Sequence, residues 1–564
     1  MTARPQIFVA ALTLLVVSHP NPAAVTNATF HPIYESTVDP VAECQIDKLV
    51  FAELGRLNIQ PVLCSDAVFV RRAYLDVIGT LPTAREAGEL IQDPRPDKRR
   101  QLIERLLERD EFADYWAMKW SDVLRIKAEF PVNLWPNAAQ AYHRWVHASI
   151  AANKPYDRFA RELLTSSGSN FRVGAVNFYR AIQNRTPEGI AGAVALTFMG
   201  ARTESWPANR LAGMAVYFSE IGYKPTSEWK EEHVFWDPLG RGSFPTRGAP
   251  GRPAIAAIGS NEIAHARAPI AVKVASRAAI LPDGAKVDLP VDRDPREVFA
   301  DWLISPQNPW FARSVVNRVW AWLLGRGIVH EPDDIRDDNP PSNAALLAFL
   351  EKEFIASHYD LKHLHRLILN SKTYQLSSTP RHTTIEAASQ FASYPLRRLD
   401  AEVLIDAINK VTGSSDLYTS PIPEPFTYIP TDLPAVAIAD GSITSPFLAL
   451  FGRSARATGM ACERNNQPVS AQWLHLLNSS HIQAKLAKGP RLQALFDSRR
   501  SRTEIVTELY LTILSRFPTL NEVAVAKAYG ATPGDAKPDR PKPRDEWVDI
   551  AWALINSTEF LYHH

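Results

Sequence analysis

"DKRRQLIERLLER", Asp97 to Arg109, decides the fold class. Leu102, Ile103, Leu106 and Leu107 form an i, i+1, i+4, i+5 stripe, and charged residues and Gln101 fill the other positions. That is the period of a helix with one buried face. The same style runs outward in both directions. A short helix is expected over Val41–Leu57, and Phe112–Ile126 carries Trp116, Trp120 and Leu124 at helical spacing. Ala138–Ile150 and Tyr156–Leu164 continue it. Far downstream the pattern returns at Phe311–Leu324 (FARSVVNRVWAWLL), Asn343–Ile355, Leu361–Leu369 and Leu399–Val411, and again from Pro446 onward. Tyr418–Ser445 is rich in Pro and reads as a long loop.

Composition changes between the two helical regions. The stretch "DPLGRGSFPTRGAPGRP" is followed by an alternating segment in which Pro282-Asp283-Gly284 reads as a turn between short strands. The expected architecture is therefore mainly α. Two helical domains, 41–223 and 295–564, are joined by a Pro/Gly-rich insertion, 224–294, with a small β element. A chain of 564 residues is too long for one small core. A formal net charge of +1 argues against a broad nucleic-acid surface, so no nucleic-acid partner is expected.

The N-terminus has the form of an export signal. Arg4 precedes an apolar run, Ile7–Val17, that is too short to span a bilayer, and small residues follow at Ala23, Ala24 and Ala28. Residues 1–24 are expected to be the signal peptide. The mature chain is expected in the periplasm or at the cell surface, with no transmembrane segment. In an exported protein the cysteines invite pairing. Cys44 and Cys64 flank the first helix. A helix of about 12 residues rises about 18 Å, and an extended return segment spans about 23 Å. A Cys44–Cys64 disulfide is thus feasible and expected, leaving Cys462 buried and inert.

One internal echo concerns architecture. "VRRAYLDVIGTLPTAREA" from Val70 and "VTELYLTILSRFPTLNEV" from Val506 align Tyr74 with Tyr510, Leu75 with Leu511, Pro82 with Pro518, Thr83 with Thr519 and Glu86 with Glu522. Each Thr-x-x-Glu is a capping box. Each unit also ends a later helix on Glu-Phe, at Glu111-Phe112 and Glu559-Phe560. Two related helix–turn–helix units, one near each end of the chain, are expected.

The local signatures of common enzymes are missing: G-x-S-x-G, G-x-x-x-x-G-K-[ST], G-x-G-x-x-G after a strand, H-E-x-x-H and C-x-x-C. His143 and His147 stand at metal-ligand spacing, but no acidic residue nearby in sequence completes a site, so structural roles are expected. "EPDDIRDDNPPS", Glu331 to Ser342, offers Asp333, Asp334 and Asp337 as calcium ligands; the alternative is an acidic loop paired with Arg336 that caps the next helix. No metal is expected. "CERNNQP", Cys462 to Pro468, supplies Glu463 and Arg464, and "RRLDAE" supplies Arg398 and Glu402. These four are the candidate catalytic residues; the alternative is inter-helix ion pairs, which also covers His363, His365, Arg366 and Tyr374.

Longer wording carries a resemblance. "IDKLVFAELGRLNI", "RRAYLDVIGTLPT", "YWAMKWSDVLR" and "NKPYDRFARELL" resemble domain of unknown function 1549 of planctomycete-type bacteria. "VNRVWAWLLGRGIVHEPDDIRDDNPPS" and "YDLKHLHRLILNSKTYQLSS" resemble its partner, domain of unknown function 1553. The resemblance covers the chain from about Ala42 onward. It implies export and frequent association with cytochrome c domains.

It also gives meaning to "LTFMGARTESWPANRLAGMAVYF", Leu196 to Phe218, which reads as an apolar helix, a polar break at Trp206-Pro207-Ala208-Asn209, and a second apolar helix. In many relatives the first of these helices is followed by C-x-x-C-H and then N-H-P, a covalent haem site. Here Arg202, Thr203, Glu204, Ser205 and Trp206 stand in that place, with neither Cys nor His. The resemblance therefore implies a member that lost its haem, with Trp206 filling part of the vacated space, and no cofactor is expected. The expected function is a non-catalytic binding or scaffold role at the cell envelope, with an unidentified envelope partner or ligand. The alternative is an exported hydrolase of extracellular polymers using the carboxylates and arginines named above.

Overall fold

The computed structural model describes residues 31–240, 277–530 and 543–564. The expected signal peptide and the middle of the insertion, 241–276, lie outside the described residues. The architecture is mainly α with small β elements. The amphipathic stripe that opened the argument forms helix Lys98–Leu107, with Leu102, Ile103, Leu106 and Leu107 all buried. Helices Gln45–Arg56, Asp110–Val123, Pro136–Ala151, Tyr156–Thr165, Phe311–Leu324, Ala344–Ala356, Leu361–Leu369 and Ala401–Thr412 fall where periodicity put them, within a few residues. Among the described residues, no helix is long and apolar enough to cross a membrane.

The expected hairpin is present. Arg277–Ile280 pairs antiparallel with Lys286–Leu289. Its turn closes through the Gly284 N–H to the Leu281 carbonyl at 2.8 Å, and Gly284 has φ +91°, which glycine adopts without a Cβ clash. A second sheet orders Gly168–Ser169, Glu232–Trp236 and Ile221–Pro225, all antiparallel. A third joins Arg397–Arg398 to Tyr562–His563, which ties the end of the chain to its middle.

Both expected capping boxes form. Thr83 caps helix Ala84–Gln92 with Glu86 reaching back, and Thr519 caps helix Leu520–Ala528 with Glu522 reaching back. The likeness goes further than the aligned letters. Gly79 and Ser515 both end their first helix in the left-handed region, at φ 63° and 59°. In each unit an arginine lies over the matched tyrosine ring: Arg109 over Tyr74 at 5.7 Å and Arg516 over Tyr510 at 5.2 Å. Arg109 then pairs with Glu86 and Glu111, and Arg516 with Glu522 and Glu559. The two arginines come from different places in their units, yet they serve the same pair of carboxylates. The units also meet: buried Arg71 donates to the carbonyls of Ile513 at 2.9 Å and Phe560 at 2.7 Å.

Two helices position the candidate site. Trp116 and Trp120 of helix Asp110–Val123 pack on Trp322 of helix Phe311–Leu324, with centroids 5.6 and 5.5 Å apart. This aromatic seam holds the two helices together and leaves their next faces free to line a cleft. Spacing explains which residues those are. Lys119, Asp122 and Val123 share one face of the first helix; Arg318, Ala321 and Trp322 share one face of the second, and Gly325 follows at its end. Gly325 has φ +71°, and a Cβ there would lie 2.9 Å from Pro395 Cγ. The tight turn needs glycine.

The cysteine expectations are corrected. All three thiols are free. Cys44 Sγ lies 3.2 Å from Asp47 Oδ2 within its own helix turn. The Cys64 N–H donates to the Gln375 carbonyl at 2.9 Å, and the buried Cys64 side chain lies beside Arg99. Cys462, expected to be buried, is exposed.

Candidate functional site

A cleft of about 530 Å³ opens between helix Asp110–Val123, helix Phe311–Leu324, the turn after it, the Leu396–Asp400 segment and the Ser454–Pro468 loop. Its ionic framework begins at Arg464. This guanidinium spans two carboxylates: Glu402, at 2.6 and 3.0 Å, and Asp122, at 2.7 and 3.1 Å. Arg453 adds a third bond to Glu402 at 3.2 Å, and Arg456 one to Asp122 at 2.9 Å. Asp400 is held by Lys119 and by Asn466 at 2.7 Å.

Burial alone would raise the Glu402 carboxyl, but Arg464 and Arg453 override it and hold it well below the usual carboxylate range. The same balance, with Lys119 and Arg464, holds Asp400 down. Arg464 is pushed upward; burial opposes this, and Asp122, Glu402 and Asp400 outweigh it. These groups form one linked network of ion pairs.

The four candidate catalytic residues therefore separate. Glu402 and Arg464 meet. Arg398 lines the same cleft but donates to the carbonyls of Phe451 at 2.7 Å and Asn465 at 3.2 Å. Glu463 turns away: it accepts from the N–H of Thr458 at 2.6 Å and of Ala457 at 3.1 Å, stapling its own loop. The other polar residues named in sequence serve elsewhere. Arg366 pairs with Glu104 at 2.8 Å, Tyr374 donates to Asp76 at 2.8 Å, and His365 is buried against Trp116 with ring centroids 4.2 Å apart.

The segment in the place of the haem motif and the calcium-candidate loop are brought together. Arg202 donates to Asp333 at 2.8 Å, and the other oxygen of Asp333 accepts from the Ala461 N–H at 3.0 Å. The Ile335 N–H donates to the Gly200 carbonyl at 2.8 Å. Asp334 pairs with Arg336 at 3.3 Å, and Asp337 is exposed. Asp333, Asp334 and Asp337 thus point to different partners, and among the described residues no group of three or more His, Cys, Asp or Glu is arranged to hold a metal. The side chain that caps the next helix is Asn343, which accepts from the Leu346 N–H at 2.9 Å. His143 is buried, and desolvation lowers it to about 3; His147 instead pairs with Asp114 at 3.1 Å, from a neighbouring helix.

The residues present do not fit a haem. Ala201–Asn209 offers no thiol and no imidazole. Trp206 is half-buried rather than filling a core void, with Arg210 4.1 Å above its ring and 5.4 Å from Trp310. His330 and Met460 do line the nearby cleft. Its walls, however, carry Lys119, Asp122, Arg397, Arg398, Asp400 and Arg464, where a porphyrin needs apolar surface.

Two family descriptions match the chain in order. "Protein of unknown function (DUF1549)", PSCyt2, matches residues 45–203. "Protein of unknown function (DUF1553)", PSD1, matches residues 295–530. The chain carries these two domains in this order. No curated protein and no solved structure matches it. In this DUF1549–DUF1553 chain the cleft is built from both matched parts: Lys119 and Asp122 come from the first, and Arg318, Arg398, Asp400 and Arg464 from the second.

Sequence reading missed Lys119, Asp122, Arg318, Arg326, Arg453 and Asp400. A signal for some was present. Arg318 interrupts the apolar face of FARSVVNRVWAWLL, and Lys119 and Asp122 sit among tryptophans in YWAMKWSDVLR. Charged residues are rarely fully buried unless they have a partner. Which charge meets which is invisible in one dimension.

Proposed function

We propose that the protein is an exported binding component of the cell envelope, and that its cleft is the ligand place. The carrying observation is the state of the cleft carboxylates. Asp400 lines it, Glu402 is paired with the cleft residue Arg464, and direct cation partners hold both below the usual carboxylate range. A hydrolytic acid–base pair needs one carboxyl kept protonated near neutral pH beside one that is not. The cleft instead holds carboxylates as fixed counter-charges. This supports retention of a ligand over its cleavage. Export follows from the N-terminal signal pattern and from the family resemblance.

The test is sedimentation with insoluble envelope polysaccharide and peptidoglycan, with reducing ends measured in the same tubes. The expected result is co-sedimentation without new reducing ends. Sustained release of product that is abolished by Glu402→Gln would overturn the binding reading and establish the hydrolase.

A further inference from the structure

Three arginines that line the cleft form no hydrogen bond or salt bridge to a carboxylate among the described residues; Asp333 attracts Arg318, and Asp400 and Glu402 attract Arg398, only from a longer distance. Arg318 is 2% exposed and makes a single bond, to the Leu196 carbonyl at 3.2 Å. Arg398 is 3% exposed and bonds only to backbone carbonyls, with its Nε buried and unpartnered. Among the described residues Arg326 has no bonded partner, and its Nε is also buried. The carboxylates that line the cleft are bonded to other cations. Asp122 is engaged by Arg456 and Arg464, Asp400 by Lys119, and Glu331 lies 3.8 Å from Arg202. Six cationic side chains therefore face one cavity against three carboxylates. A buried guanidinium without a directly bonded counter-charge is costly, because distant carboxylates offset its desolvation only in part. Arginine's planar fork also matches carboxylate, sulfate and phosphate oxygens.

We propose that the cleft is an oxyanion site. Arg318, Arg326 and Arg398 receive a carboxylate, sulfate or phosphate group of the ligand, and the amides of Asn465, Asn466 and Gln467 on the same wall border it. The proposal rests on the binding reading above and names its ligand class. Arg318 comes from the apolar face of its helix and Arg326 from the turn one residue past Gly325, so one rigid element sets both. Arg398 is fixed from the facing wall by the short pairing with Tyr562–His563.

The test is titration of the full mature chain, read by calorimetry and by fluorescence of Trp322, which also lines the cleft. The probes are inorganic sulfate, inorganic phosphate, a galacturonic-acid trimer and the neutral galactose trimer. One-to-one binding of at least one anion is expected. Its affinity should fall at least tenfold from low salt to 0.5 M NaCl and at least tenfold in Arg326→Gln. Arg326 carries no structural bond, so this variant should fold. Arg318→Lys keeps the charge, loses the fork and should weaken binding less than Arg326→Gln does. Inorganic ions binding as tightly as the acidic trimer would mark a free small anion as the source; preference for the trimer would mark a polymer-borne group. Equal, salt-independent binding of the neutral trimer would overturn the oxyanion proposal and leave the binding reading standing. Absence of binding by all anions would overturn it too, and release of product from a trimer would instead strike the binding reading.

Discussion

Arg397 donates its Nη2 proton to Asp76 Oδ1 at 2.7 Å, joining the two family-matched parts through a buried carboxylate. The Tyr374 and Tyr394 hydroxyls each donate to Asp76 Oδ2 at 2.8 Å, and His563 Nδ1 lies 3.1 Å from Oδ1. One residue of the first part thus gathers three from the second, together with His563 from beyond it. Asp76→Asn leaves Arg397 facing a neutral amide in a dry site. A loss of about 3–5 kcal/mol in unfolding free energy is expected from breaking such a buried pair. Urea unfolding checks it, and a loss below about 1 kcal/mol would show that the hub does not bear on stability.

The same carboxylate predicts an acid limb. Burial would raise it, but Arg397 and His563 prevail and hold it at about 2. The unfolded value is about 3.9. Because the folded value is the lower one, the stabilisation is present above about pH 4 and is lost as pH falls toward about 2. Melting temperatures measured at pH 5, 4, 3 and 2 should fall steadily. The Asp76→Asn curve should fall less steeply over the same range, retaining the share that the other carboxylates held low, among them Asp400, Glu402 and Glu522, contribute in the same direction.

The repeated caps make a paired prediction. Thr83 and Thr519 each accept from the third N–H of their helix at 3.2 Å. Thr83→Ala and Thr519→Ala should each cost about 1 kcal/mol. A neutral result at one position, by the same urea measurement, would mean that the two units are alike in outline but not in energetics.

The thiols give a chemical check on the chain path. Cys462 is exposed, Cys64 is buried, and burial pushes the Cys44 thiol up to about 11. A thiol reagent at pH 8 should modify Cys462 rapidly in the native protein and all three cysteines after denaturation. Finding only one reactive thiol after denaturation would restore the Cys44–Cys64 bridge.

Local order was legible in the sequence because short-range physics decides it. A stripe such as Leu102, Ile103, Leu106 and Leu107 buries one face of any helix that forms there, and Thr83 with Glu86 or Thr519 with Glu522 closes a helix start within four residues. Pro282-Asp283-Gly284 turns the chain wherever it lies. The missing haem motif between Ala201 and Asn209 was equally plain, being a matter of which letters are present. Tertiary structure alone decided the cleft. Asp122, Glu402 and Arg464 meet only because helix Asp110–Val123, helix Ala401–Thr412 and the Ser454–Pro468 loop, distant along the chain, come together in space. Whether Cys44 faced Cys64, and whether Arg318 met a carboxylate or none, depended on that packing. Charges and thiols act over a few ångströms of space, and separation along the chain does not determine which of them come within that distance.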